Sequence, residues 1–122
     1  MTKEINSLVL AYLGDTIYED YIRIYLINKG IANVNDLQTE SVKYSSAKAQ
    51  CDLLKKLMNE NIFNEEELEI IKRARNHKST SHPRNCDIVT YKYATGLEAL
   101  IGYLKLENQE KRIDEIMKNI LN

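Results

Sequence analysis

The sequence predicts an all-α fold of five to six helices in a single domain spanning residues 1–122. Three observations lead there. Four glycines and one proline, Pro83, leave little punctuation in 122 residues, which favours long helices joined by short connections. No segment alternates apolar and polar residues for long enough to make a strand. Two runs, 8–18 and 96–104, are too apolar all round for surface helices and read as buried central ones.

The elements follow in order. Asn6 or Ser7 caps a first helix that reaches Asn28 and stops at Lys29-Gly30, where glycine tolerates the left-handed conformation of a helix end. A second helix starts near Asn35-Asp36 and ends around Tyr44. Ser45 or Ser46 opens a third, with Ala49, Leu53, Leu54, Leu57 and Met58 on its apolar stripe. Asn64 caps a fourth whose first turn, Glu65-Glu66-Glu67, and basic end, from Lys72 to Lys78, both suit the helix dipole. Residues 79–85 are polar apart from Pro83 and read as a surface loop. A fifth helix runs from Cys86-Asp87 to about Leu106. The last spans Gln109 to Leu121, with Ile113, Ile116, Met117, Ile120 and Leu121 as its stripe.

The net charge of −1 conceals an asymmetry. Residues 72–92 hold Lys72, Arg73, Arg75, Lys78, Arg84 and Lys92 against Asp87 alone, a local balance of +5 that leaves −6 on the rest. A basic segment on an acidic body points to a local anionic partner. Cys51 and Cys86 make neither a zinc pattern nor a CxxC. With a start, Met-Thr-Lys-Glu-Ile, that lacks a signal-peptide cleavage region, they read as reduced thiols of a cytoplasmic protein. The apolar run 8–13 is too short to span a bilayer, so no membrane partner is expected.

Asp15 and Glu98 sit inside the two apolar runs. An ionised carboxylate there needs a partner, a metal or a raised pKa. Each lies near a glycine that lets backbones approach, which suggests one shared site between two packed helices. Glu19, one turn after Asp15, is a candidate second or outer ligand, and Arg23 is an alternative partner for it; Asp20 points about 140° away from Asp15. Hard oxygen ligands suit Mg²⁺, with Mn²⁺ as a substitute, and metal-assisted hydrolysis is the matching chemistry. Spacing alone leaves open that Asp15 caps, pairs or faces water. His77 and His82 are too few for a zinc cage and read as solvated or phosphate-touching.

Leu13-Gly14-Asp15-Thr16-Ile17 resembles the Leu-Gly-Asp-Ala-Val core of the ribonuclease III signature, and Glu98-Ala99-Leu100-Ile101-Gly102 resembles that family's second acidic motif. Residues 10–23, 45–50, 72–78 and 91–104 are closer still to the Mini-III subfamily, which has the nuclease domain without a separate double-stranded-RNA-binding domain. The resemblance implies an all-helical homodimer that cuts double-stranded RNA with Mg²⁺, each subunit cutting one strand, and that matures the ends of the 23S ribosomal RNA precursor. It places Asp15 on the signature aspartate and Glu98 on the metal-ligating glutamate. Two acidic positions of standard ribonuclease III are absent: Ala11 stands four residues before Asp15, and Thr95 three before Glu98. That pattern resembles Mini-III and implies a thin metal site with more waters on the ion. Glu19 is the residue that could compensate.

Duplex RNA is recognised by shape and by cations against phosphate. The candidates are Lys72, Arg73, Arg75, Lys78 and Arg84, with Asn76 as a hydrogen bonder; five cations with no acid between residues 72 and 85 exceed what a helix dipole needs. Lys43, Ser46, Lys48 and Gln50 form a second polar group, for which a solvated helix face is the competing reading. A dimer is expected mechanically, because cutting both strands without release needs two centres about a two-fold axis. Three readings compete: a metal-dependent endoribonuclease, a helical RNA-binding or ribosome-assembly factor whose nuclease site has decayed through the losses at Ala11 and Thr95, and, with less behind it, a plain helical interaction domain with no RNA role. A ribosomal protein is a further candidate partner.

Overall fold

The computed structural model describes residues 2–77, 84 and 86–122. After a short 3-10 turn at Thr2–Glu4, six helices follow among these residues: α1 Ser7–Asn28, α2 Val34–Ser45, α3 Ala47–Asn59, α4 Glu65–Arg75, α5 Ile88–Leu106 and α6 Glu110–Leu121. The loop expected at 79–85 lies outside the described residues, apart from Arg84.

Capping explains most of the boundaries. Asn6, Asn33, Ser46, Asn64 and Asp87 each accept a backbone N–H of the turn they open. At α4 the cap is reciprocal, with Glu67 reaching back to the Asn64 N–H. Helix α2 starts earlier than expected: Asn33, not Asn35 or Asp36, holds the first turn, its side-chain oxygen 2.8 Å from the Asn35 nitrogen. Gly30, at φ +93°, ends α1 as its position suggested. Asn61 and Asn108 take φ values of 56° and 59° at the ends of α3 and α5. They do the work of glycines in a chain that has few.

Helix α5 is the axis of the domain. It packs on α1, α3 and α4, and from Ala94 to Leu104 only Glu98 is less than fully buried. Helix α1 was expected to be buried as well, and that expectation is corrected in part: it packs on α2, α4, α5 and α6 but leaves one side open. The stripe Ser7, Leu10, Ala11, Gly14, Tyr18, Ile22 and Leu26 is buried, with Ile17, Tyr21 and Tyr25 packed partly against the core, while Leu8, Val9, Tyr12, Ile24 and Ile27 are exposed. Its apolarity all round is that of a core stripe plus an uncovered apolar face.

The crossing of α1 and α5 decides where the carboxylates go. A Cβ at Gly14 would stand 1.7 Å from the Glu98 carbonyl oxygen, and one at Gly102 would stand 2.0 Å from that of Leu10. Backbone therefore touches backbone at this point, and only glycine fits at either position. The contact carries Asp15, next to Gly14, to the side of Glu98.

Candidate functional site

Asp15 and Glu98 converge across that crossing. Their carboxyls are within hydrogen-bonding reach, and they line one cavity of about 250 Å³ together with Leu8, Ala11, Tyr12, Tyr91 and Thr95. The two positions that lack the standard acids thus face the same space. Ala11 is small, and Thr95 is buried with its hydroxyl donated to the Tyr91 carbonyl at 2.9 Å. Neither extends a charge into the cavity, which stays open for water.

The two acids differ in setting. Asp15 is exposed, against the expectation that both are buried, because it lies just off the inward stripe of α1. Glu98 is half-buried. Burial first, and then the facing Asp15, push its carboxyl up to about 8, while an amide hydrogen bond from Gln50 pulls the other way. Among the described residues no Lys, Arg or His lies within ion-pair distance of either acid. At neutral pH Glu98 therefore keeps its proton unless a cation arrives.

Glu19 stands apart. It faces Arg23, with Nε 3.4 Å from its carboxylate, and lines the neighbouring groove rather than the Asp15–Glu98 cavity. The described residues contain no cluster of three His, Cys, Asp or Glu side chains able to hold a metal. A direct ligand role for Glu19 is thus not what this geometry offers; it adds negative potential from one turn away.

The basic segment is less uniform than its sequence suggested. Lys72 is exposed on α4, and Arg84 is exposed beyond it. Asn76 caps α4 through its backbone N–H and leaves its side chain outside. The Arg75 guanidinium lies 4.3 Å above the Tyr93 ring, which Lys55 also approaches at 4.7 Å, so Arg75 is held while still reachable. Arg73 is a correction. It donates to the carbonyls of Lys3 and Ile5 and to the Ser7 hydroxyl, which fastens the N-terminal turn to α4. Lys78 lies outside the described residues. In the second polar group, Ser46 is the cap of α3 and Lys48 pairs with Asp52 at 2.9 Å in an exposed contact that a phosphate could replace at little cost.

Gln50 was grouped with those surface residues, and the structure moves it. It is 3% exposed, and its Nε2 lies 3.3 Å from the Glu98 Oε2. The available signal was its spacing: Gln50, Leu54 and Leu57 stand at i, i+4 and i+7, the inward stripe of α3.

Comparisons with known proteins agree with this architecture. The family model of the ribonuclease III domain matches residues 8–109. A curated Mini-ribonuclease 3 of Brevibacillus brevis is 49% identical over 113 residues, covering 93% of this chain and 83% of the relative. One of Enterococcus faecalis is 44% identical over 115 residues, covering 94% and 87%. A crystal structure of a Fusobacterium nucleatum protein superposes with a TM-score of 0.84 at 37% identity, covering 94% of this chain and 92% of that one. The chain belongs to the ribonuclease III family, among the Mini-ribonuclease 3 proteins, and is an endoribonuclease of that type.

Proposed function

We propose that this endoribonuclease is Mg²⁺-dependent and specific for double-stranded RNA, that it works as a homodimer in the cytoplasm, and that its substrate is the precursor of 23S ribosomal RNA. The observation that carries the metal-dependent reading is the facing pair Asp15 and Glu98, two carboxyls in hydrogen-bond reach with no cation beside them among the described residues.

The donor set fits a divalent ion. Two carboxylates supply hard oxygens, and the cavity between Ala11 and Thr95 has room for the several waters that Mg²⁺ keeps. Burial and the facing Asp15 raise Glu98, and a cation that enters there would offset both. When bound, such an ion supplies an activated water and neutralises charge on the phosphoryl oxygen. The remaining work belongs to the chain. Asp15 and Glu98 hold their oxygens in place because Gly14 and Gly102 lock the crossing. Lys72, Arg75 and Arg84 offer charge to phosphates, and their contribution falls as salt rises. The shape of an A-form duplex does the rest of the recognition.

The uncovered face of α1 supports the dimer. Leu8 and the 83% exposed Tyr12 line the carboxylate cavity, with the exposed Val9 next in the chain, and a second copy is an occupant that would bring two such centres together. No described helix is long and apolar enough to cross a membrane.

The test is Asp15→Asn. The variant is expected to lose cleavage of a duplex ribosomal precursor fragment in Mg²⁺ while retaining salt-sensitive binding to it. Normal cutting by the variant would remove Asp15 from the site. Binding without cutting by the parent protein in Mg²⁺ and in Mn²⁺ would contradict the metal-dependent reading.

A further inference from the structure

Four polar residues are buried among the described ones: Ser7, Gln50, Glu67 and Thr95. Three have structural work. Ser7 takes a hydrogen bond from Arg73, Glu67 takes two from Arg112, and Thr95 donates to a carbonyl of its own helix. Gln50 is different, because its partner is Glu98. A buried amide is costly unless it is bonded, and an apolar residue would continue the Leu54–Leu57 stripe without that burden.

We propose that Gln50 is a positioning residue for the carboxylate pair: from the first turn of α3 it fixes Glu98 beside Asp15 and so sets how tightly the site takes a divalent cation. This rests on the reading that Asp15 and Glu98 hold the metal. The amide donates to one Glu98 oxygen and limits the rotation of the side chain, so less order has to be imposed when an ion arrives. It does so without charge. A lysine or arginine at this place would neutralise the pair and compete with the cation, whereas a glutamine orients the carboxylate and leaves its charge for the ion. Helix α3 is itself anchored: the Ser46 hydroxyl caps it, and the Gln50 N–H closes its first turn on the Ser46 carbonyl at 2.9 Å. The string 46–50 therefore has one end as a cap and the other on the site.

The probe is Mn²⁺ alone, titrated into metal-free protein at pH 8 and read by the EPR signal of the free ion, with thermal melts alongside. Gln50→Met keeps the bulk and removes the donor; Mn²⁺ affinity is expected to fall about tenfold or more, with the melting temperature held or raised. Gln50→Glu keeps the reach and adds a charge, so its affinity is expected to rise. On duplex RNA, Gln50→Met should lower kcat at limiting Mn²⁺, recover as the ion is raised, and leave KM unchanged. A residue that only fills space would move none of these. Glu98→Gln separates the two claims. If it loses Mn²⁺ while Gln50→Met binds within about twofold of the parent, the role of Gln50 is overturned and the carboxylate pair stands. If Glu98→Gln binds Mn²⁺ as the parent does, the metal reading itself fails, and this inference with it. Should Gln50→Met not fold, an unchanged affinity in Gln50→Glu overturns the proposal on its own.

Discussion

Glu67 and Glu98 are both drawn out of solvent, and the fold treats them in opposite ways. Glu67, 2% exposed in the first turn of α4, accepts from Arg112 through both oxygens at 2.7 Å and also closes the cap on the Asn64 N–H at 3.0 Å. Arg112 gives a further hydrogen bond to the Ile62 carbonyl at 2.7 Å, so α6 is clamped to the turn before α4. Both oxygens that burial removes from water are given donors. Glu98 receives one neutral amide, which favours its charged form, and faces a second carboxylate; burial first, and that carboxylate next, push its carboxyl up to about 8. The difference teaches where to look for function. A buried charge with an opposite charge beside it is part of the framework, whereas a carboxyl that the packing forces against another acid marks a site that needs something from outside.

The comparison can be broken in graded steps. The largest effect is on catalysis. Glu98→Gln is expected to reduce duplex cleavage by about a thousandfold in saturating Mg²⁺, the scale of removing a key electrostatic contact, while the folded state in EDTA melts no lower than the parent's. Glu67→Gln should do the reverse. It leaves Arg112 partly uncompensated and is expected to lower stability by about 2–3 kcal/mol in chemical denaturation, with cleavage per folded molecule unchanged. The smallest effect is the pH dependence of the metal-free protein. Below about pH 4.5, the ordinary value of a glutamate, Glu98 is protonated folded or unfolded; between there and about pH 8 the folded chain holds a proton that the unfolded chain has released. Stability in EDTA is therefore expected to decline as pH rises through that window. The decline should be shallower in Glu98→Gln, measured by melting curves at matched ionic strength.

Much of this was legible in the sequence, for physical reasons. Helix ends were readable because caps and glycines act locally, as at Ser46, Asn64 and Gly30. The meeting of Asp15 and Glu98 was readable because a glycine beside a carboxylate in an apolar run has few uses other than close approach. What escaped was decided by contacts distant in sequence. Arg73 looks like any other cation of its basic segment until residues 3–7 fold back onto α4 and take its donors. The ion pair of Glu67 with Arg112 joins residues 45 positions apart, and nothing in the first turn of α4 announces it. The exposure of Asp15 and of one whole side of α1 could not be separated from burial, because an apolar face reads the same whether it meets a core or is left uncovered. Gln50 belongs between these cases: its heptad position pointed inward, and only its polarity argued otherwise.

The central claim is that the α1–α5 crossing builds a two-carboxylate cradle for one hydrated divalent ion. The direct measurement is anomalous diffraction from crystals of the parent protein soaked in Mn²⁺. The account predicts a peak bonded to both Asp15 and Glu98 at about 2.0–2.2 Å, with water filling the side of Ala11 and Thr95. A peak bound elsewhere, with no density between these two carboxyls, would contradict it.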